Sequence, residues 1–302
     1  MNNRMSSILC PVDFSETSRR SLHCAVDLAT RHDGRLTVVH VIPHTLPPLS
    51  GLAVQTSGSL EGSTRERLRQ DMLEELQLFS KPVANGAPVR YLVEEGSIVD
   101  TIVTLAGKAD LLVLGTHGHS GVERLILGSV TEKALHKAPC PVLTVPPAPA
   151  SAAAPCGPFK RILCALDFSP ASERALVYAV GLAKEGDGRV TLIHVIEGLL
   201  GEKPQDLHLD VRGYLHKVEE QVRERLRSLS AAESRWQQPE ALVATGKAHV
   251  EILSAIEERH FDLVAMGGHG RSGLGELLFG STARHVVRGA PCPVLTVAPT
   301  GA

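Results

Sequence analysis

"ILCPVDFSETSRRSLHCAVDLA" runs from Ile8 to Ala29, and "ILCALDFSPASERALVYAVGLA" runs from Ile162 to Ala183. Each opens with a short apolar run, closes it at Asp-Phe-Ser, and continues as an amphipathic segment. That pattern predicts a buried strand followed by a helix, with Ser15 as the N-cap in the first copy. Two more stretches return in the same order. "DGRLTVVHVI", Asp33–Ile42, reappears as "DGRVTLIHVI", Asp187–Ile196, and "APCPVLTV" occurs word for word at Ala138–Val145 and Ala290–Val297. The offset stays near 150 residues, a domain length and several times the period of a solenoid. A whole domain has been duplicated.

Between the copies lies "PPAPASAAAPCGP", Pro146–Pro158, a Pro- and Ala-rich tether with little to bury. The chain therefore divides into an N-terminal domain over 1–146, a linker over 147–158 and a C-terminal domain over 159–302. In the first copy the pattern predicts a strand over Ser7–Val12 and a helix to about Thr30. A strand "RLTVVHVI", a helix near Ser63–Phe79 and a strand "VRYLV" follow. A helix near Ile98–Gly107, a fourth strand "ADLLVLG", a helix from Gly128-Ser129 and a fifth strand "CPVLTV" complete it. Nearly continuous apolar strands between amphipathic helices predict a parallel sheet covered on both faces. The expected fold is α/β: two tandem Rossmann-like domains, each a five-stranded parallel sheet with helices on both faces. After strand two the copies part, and the 44–63 segment reads as a lid, a contact surface or a plain connection.

Composition bounds the function. The 302 residues are 43% hydrophobic and 21% charged with a net charge of −2, a globular balance that offers no electrostatic case for nucleic acid. Aromatics are only 3%, so aliphatic side chains must build the cores. No stretch approaches a membrane span or a signal peptide, which makes the cytoplasm the expected location. Four of the six cysteines recur at equivalent positions in apolar context, Cys10 with Cys164 and Cys140 with Cys292, as small buried side chains do. The 14 histidines show no metal-ligand spacing, so no metal site is expected.

A second repeat carries the chemistry. "GTHGHSGVERLILGS", Gly115–Ser129, and "GGHGRSGLGELLFGS", Gly267–Ser281, share the skeleton Gly-x2-Gly-x9-Gly-Ser. Gly115 and Gly267 end the fourth strand, where open α/β sheets bind ligands. Glycine there allows positive φ and close approach of a ligand. Gly118 and Gly270 lie inside the loop; Gly128-Ser129 and Gly280-Ser281 open the next helix, whose N–H groups and partial positive charge suit phosphate. The skeleton is neither GxGxxG nor GxxxxGK[ST]. Capping and turning alone would also use these glycines, but the pattern occurs twice in the same context. Asp13 and Asp167, ending strand one, suit a ribose or an adenine amino group, and equally suit capping the next helix. Val41 and Val195 end strand two, where backbone groups can meet an adenine edge.

The glycine skeleton, the strand-one Asp, "HVI" and the closing "APCPVLTV" together resemble the universal stress proteins, and the duplication resembles their tandem members. The resemblance implies an adenine nucleotide, ATP or another, with Mg²⁺ as an optional companion. It implies contacts from Asp13, Val41, Gly115, His117, Gly118, His119, Gly128, Ser129 and Val130 in the first half. The matching set in the second half is Asp167, Val195, Gly267, His269, Gly270, Arg271, Gly280, Ser281 and Thr282. His119 is replaced by Arg271 and Val130 by Thr282, and with the charge Arg271 adds, the second site is expected to bind at least as tightly as the first. The resemblance also implies an internal pseudo-dimer through the fifth strands, with a homodimer of tandem chains as a further option.

The expected role is a sensor or regulator of stress with little or no turnover. Phosphoryl transfer needs metal ligands and a positioned base or cation, and neither glycine loop supplies a carboxylate. His117 and His269 suit loop or phosphate contacts better than a general base. A nucleotide-free adaptor is the alternative. "THGH", Thr116–His119, also fits a nucleotidyltransferase motif, but it follows strand four and the second copy reads "GHGR".

Overall fold

The computed structural model describes residues 5–44, 62–84, 87–117, 127–147, 156–197, 216–217, 220–224, 228, 239–269 and 279–298. Two compact units divide the chain after Cys140. In the N-terminal unit the elements are β1 (Ser7–Pro11), α1 (Glu16–Arg31), β2 (Arg35–Ile42), α2 (Gly62–Ala84), β3 (Val89–Glu95), α3 (Ile98–Ala106), β4 (Leu111–Gly115) and α4 (Ser129–Lys137). Its strands are ordered β3-β2-β1-β4 and run parallel. Strand addition proceeds one way from β1 to β3 and then reverses to β4. Right-handed crossovers therefore place α1 and α2 on one face and α3 and α4 on the other. The helix contacts agree, α1 packing on α2 and α3 on α4.

In the C-terminal unit the elements are β5 (Val142–Val145), β6 (Arg161–Ala165), α5 (Pro170–Gly186), β7 (Arg189–Ile196), β8 (Glu240–Thr245), α6 (Ala248–Arg259), β9 (Leu263–Gly267), α7 (Ser281–Gly289) and β10 (Val294–Val297). The order is β5-β10-β9-β6-β7-β8. Strands β10, β9, β6, β7 and β8 form the expected five-stranded parallel sheet. β5, the fifth strand of the first repeat, lies antiparallel on β10, with Leu143 opposite Leu295. Thr144 Oγ1 donates to Val294 O at 3.1 Å and Thr296 Oγ1 to Val142 O at 3.3 Å. These bonds are reciprocal, so the pair is locally two-fold.

The inner strands form the core. Ile8, Cys10, Leu112 and Val113 in the first unit and Ile162, Cys164, Leu263 and Val264 in the second are wholly buried. Each such aliphatic contributes roughly 1.5–3 kcal/mol through burial. Cys10, Cys140, Cys164 and Cys292 are buried free thiols. Burial raises all four pKa values, to about 11 at Cys140 and about 12 at Cys292. At the far end of the sheet, Asp110 Oδ2 accepts Ser7 N at 2.9 Å, and Asp262 accepts Lys160 N and Arg161 N at 2.6 and 3.0 Å. These carboxylates pin the starts of β1 and β6.

Three sequence expectations change. α2 runs past Phe79, where the sequence pattern ended it, to Ala84 and includes Pro82. β3 extends two residues further, to Glu95. The glycines Gly115, Gly128, Gly267 and Gly280 do not adopt the left-handed backbone, φ being −59° at Gly128 and −61° at Gly280. Gly115 is required by packing instead: a Cβ would lie 2.8 Å from Thr17 Cγ2 on α1. At Gly267 a Cβ would lie 3.0 Å from Ser172 N on α5. Most of the segment after strand two falls outside the described residues.

Candidate functional site

The strand register brings the strand-end residues into line. Leu9 is level with Leu112 and Pro11 with Val39, so continuing both registers places Asp13 level with Val41 and Thr116. The β1–β2 pairing does continue, Val12 N donating to Val39 O at 2.8 Å. Gly128 N donates to Thr116 O at 2.8 Å, which draws the start of α4 onto the same row. In the second unit Ala165 is level with Met266 and Ile193, which sets Asp167 level with Val195 and Gly268. Gly280 N donates to Gly268 O at 2.8 Å and brings in α7. Both rows sit at the carboxyl ends of the strands, where strand order reverses, the ligand position of open α/β sheets.

The aspartates are partly committed. Ser15 N and Oγ both donate to Asp13 Oδ1, at 3.1 and 2.6 Å, while Ser15 Oγ accepts Ser18 N at 3.1 Å as the N-cap of α1. Ser169 treats Asp167 Oδ1 in the same way, at 3.0 and 2.5 Å, and caps α5. The helix cap therefore belongs to the serine. Each aspartate is half-buried and held by an oxygen its neighbour has already claimed.

The N-termini of α4 and α7 have glycine N-caps, Gly128 and Gly280, with no side-chain hydrogen bond closing them. Ser129 and Ser281 are exposed beside those ends, with Val130 and Thr282 half-buried. Exposed N–H groups, a helix dipole and a hydroxyl at one point can bind an oxyanion. Val41 is buried and Val195 half-buried. Gly118, His119, Gly270 and Arg271 lie outside the described residues.

His117 is held by Thr116, whose Oγ1 is 2.8 Å from His117 Nδ1. Its Nε2 is buried and meets no hydrogen-bond partner among the described residues. Burial pushes its pKa below the usual histidine value, so the ring is neutral at pH 7. His269 occupies the equivalent place and is half-buried. The halves brace the loop differently. Thr131 Oγ1 donates to Gly115 O at 2.6 Å in the first, where the second has Ala283. Among the described residues no cluster of three His, Cys, Asp or Glu side chains suits a metal ion.

Sequence reasoning passed over the residue after each aspartate. Phe14 and Phe168 both take φ of +64°, a left-handed backbone that costs a bulky residue roughly 1–3 kcal/mol. Phe14 lies 4.7 Å from the His40 ring and 5.5 Å, edge-on, from Phe79; Phe168 stacks on His194 at 4.7 Å. Phe-Ser after Asp and His two residues before the end of strand two are visible in both copies. Their meeting is tertiary.

Fold and rows together define a tandem α/β protein with the same row of strand-end residues repeated at its two strand-order reversals. The universal stress protein family model matches residues 5–146 and 158–298, and the chain belongs to that family. It is 26% identical over 303 residues to a universal stress protein of Mycolicibacterium smegmatis, covering 97% of each chain. It is 33% identical over 146 residues to universal stress protein MJ0531 of Methanocaldococcus jannaschii, covering 47% of this chain and 83% of that one. The fold is similar to that of a universal stress protein from Archaeoglobus fulgidus, with a TM-score of 0.67 at 23% identity over 99% of this chain and 100% of that one.

Proposed function

We propose that each half binds one adenine nucleotide and that the chain senses or regulates through that occupancy, with little or no turnover. The carrying observation is duplicated: a strand-one aspartate at the carboxyl end of the sheet beside the end of strand two, with a glycine-capped helix N-terminus bonded to the residue after strand four. The base and ribose would meet Asp13 and Val41, or Asp167 and Val195, while phosphates would meet the α4 or α7 terminus with Ser129 or Ser281. Gly118, His119, Gly270 and Arg271, with His117 and His269, would complete the nucleotide contacts. ATP with Mg²⁺ is the fullest occupant such a site would take. Neutral His117, buried at Nε2, suits a fixed contact more than proton transfer.

The proposal extends to organisation. The domains run over 1–146 and 159–302 with the linker between, and the locally two-fold β5–β10 pair is the seam of an internal pseudo-dimer. Homodimers of the tandem chain would be a second level of assembly. The compartment proposed is the cytoplasm; among the described residues no helix is long and apolar enough to cross a membrane. Denaturing gently purified protein and identifying what it releases by mass spectrometry tests the site assignment. Adenine nucleotide approaching two per chain is the expected result. None released, and no binding in titrations with ATP and AMP, would leave the adaptor role standing instead.

A further inference from the structure

We propose that His40 and His194 are positioning residues that hold the Asp13 and Asp167 carboxylates in place for the ligand. The inference rests on the nucleotide-site assignment above. His40 Nδ1 lies 2.8 Å from Val12 O, and His194 Nδ1 lies 2.6 Å from Leu166 O. A carbonyl only accepts, so Nδ1 carries the hydrogen in both rings. That carbonyl belongs to the peptide bond leading into the aspartate, and the bond therefore fixes the plane from which the aspartate Cα projects. The same imidazole lies against the ring of the residue that follows, Phe14 or Phe168. Each histidine thus grips the chain on both sides of one aspartate.

The left-handed phenylalanine makes this grip informative. A turn at φ of +64° is free to glycine and easily taken by asparagine, yet both halves place phenylalanine there. Such a conformation persists only where its surroundings over-determine it. The strand bond at Val12 N precedes it, the Asp13–Ser15 cap follows it, and His40 bridges the two. The second half repeats every part, with Leu166 N bonded to Ile193 O at 2.9 Å. An apolar residue would fill the space beside Phe14 without claiming the Val12 carbonyl. The donor is what histidine adds.

The test uses the full chain in an Asp167→Asn background, so that ATP titration by calorimetry reports the N-terminal half. His40→Phe keeps a ring against Phe14 and removes the donor; His40→Gln keeps a donor and removes the ring. His40→Phe is expected to weaken ATP binding about tenfold, the worth of one hydrogen bond, with His40→Gln recovering most of that loss. Melting temperatures measured alongside separate positioning from folding. Affinity losses that follow the melting temperature equally in both variants would overturn the proposal, as would wild-type affinity in both while Asp13→Asn lowers it tenfold or more. A wild-type chain that binds no adenine nucleotide would overturn this proposal and the site assignment together.

Discussion

Asp13 has two oxygens and two duties. Ser15 engages Oδ1 through both its N–H and its hydroxyl, so the carboxylate reaches the row already oriented. Asp13→Asn keeps an acceptor but loses the charge, and we expect ATP affinity in the first half to fall at least tenfold with the melting temperature nearly unchanged. Isothermal titration beside a thermal melt separates the two effects. Gly34 illustrates a residue whose identity is purely steric. A Cβ there would lie 2.5 Å from Met5 O, a backbone atom that cannot swing aside. Gly34→Ala should therefore cost about 1–3 kcal/mol as an overpacked site, measurable by urea denaturation, while nucleotide binding by the folded fraction is retained.

At the scale of elements, the helix caps and the strand-end row share atoms. Ser15 caps α1 by accepting Ser18 N and also donates to Asp13. Ser15→Ala should lower stability by about 0.5–2 kcal/mol, the worth of an N-cap, and also weaken binding in the first half. Binding unchanged at reduced stability would mean that the Ser15–Asp13 bond serves α1 alone. The strands make a complementary prediction. Cys10, Cys140, Cys164 and Cys292 are buried with raised pKa values. Since the thiolate is the reactive form, these four should resist iodoacetamide at neutral pH in the native protein and react in urea. Peptide mapping by mass spectrometry reads this directly.

For the molecule, pH and the β5–β10 pair are the levers. Burial raises the Asp262 carboxyl above its ordinary value, against the backbone N–H bonds of Lys160, Arg161 and Asp262 itself and the Arg161 charge. The native state then holds that proton more tightly than the unfolded chain. Its contribution to stability is complete below the ordinary carboxylate pKa and is lost as pH rises through the raised value. Asp262→Asn should remove that component from the stability–pH curve of urea denaturation; an unchanged curve would count against it. In the β5–β10 pair, Leu143 opposes Leu295 and is buried. Leu143→Ala should cost about 2–5 kcal/mol, as a core truncation does, and the melt should show the loss in the C-terminal unit that holds β5.

Duplication, strand-helix alternation and the α/β class were legible in the sequence because they depend on local apolar period and on repetition, which one chain displays in full. The aspartate, the glycines and the Gly-Ser helix starts were legible too, since their types suit strand ends and helix caps. Three things waited for the tertiary structure. Pro82 sits within α2, where local propensity had ended the helix at Phe79. Gly115 proved to be a contact with α1 rather than a left-handed turn, and steric need of that kind depends on a helix about 100 positions away in sequence. The grip of His40 on Val12 and Phe14 depends on the parallel register of β1 and β2. Local sequence governs backbone preference and burial pattern, whereas which side chains meet is decided by packing between elements distant along the chain.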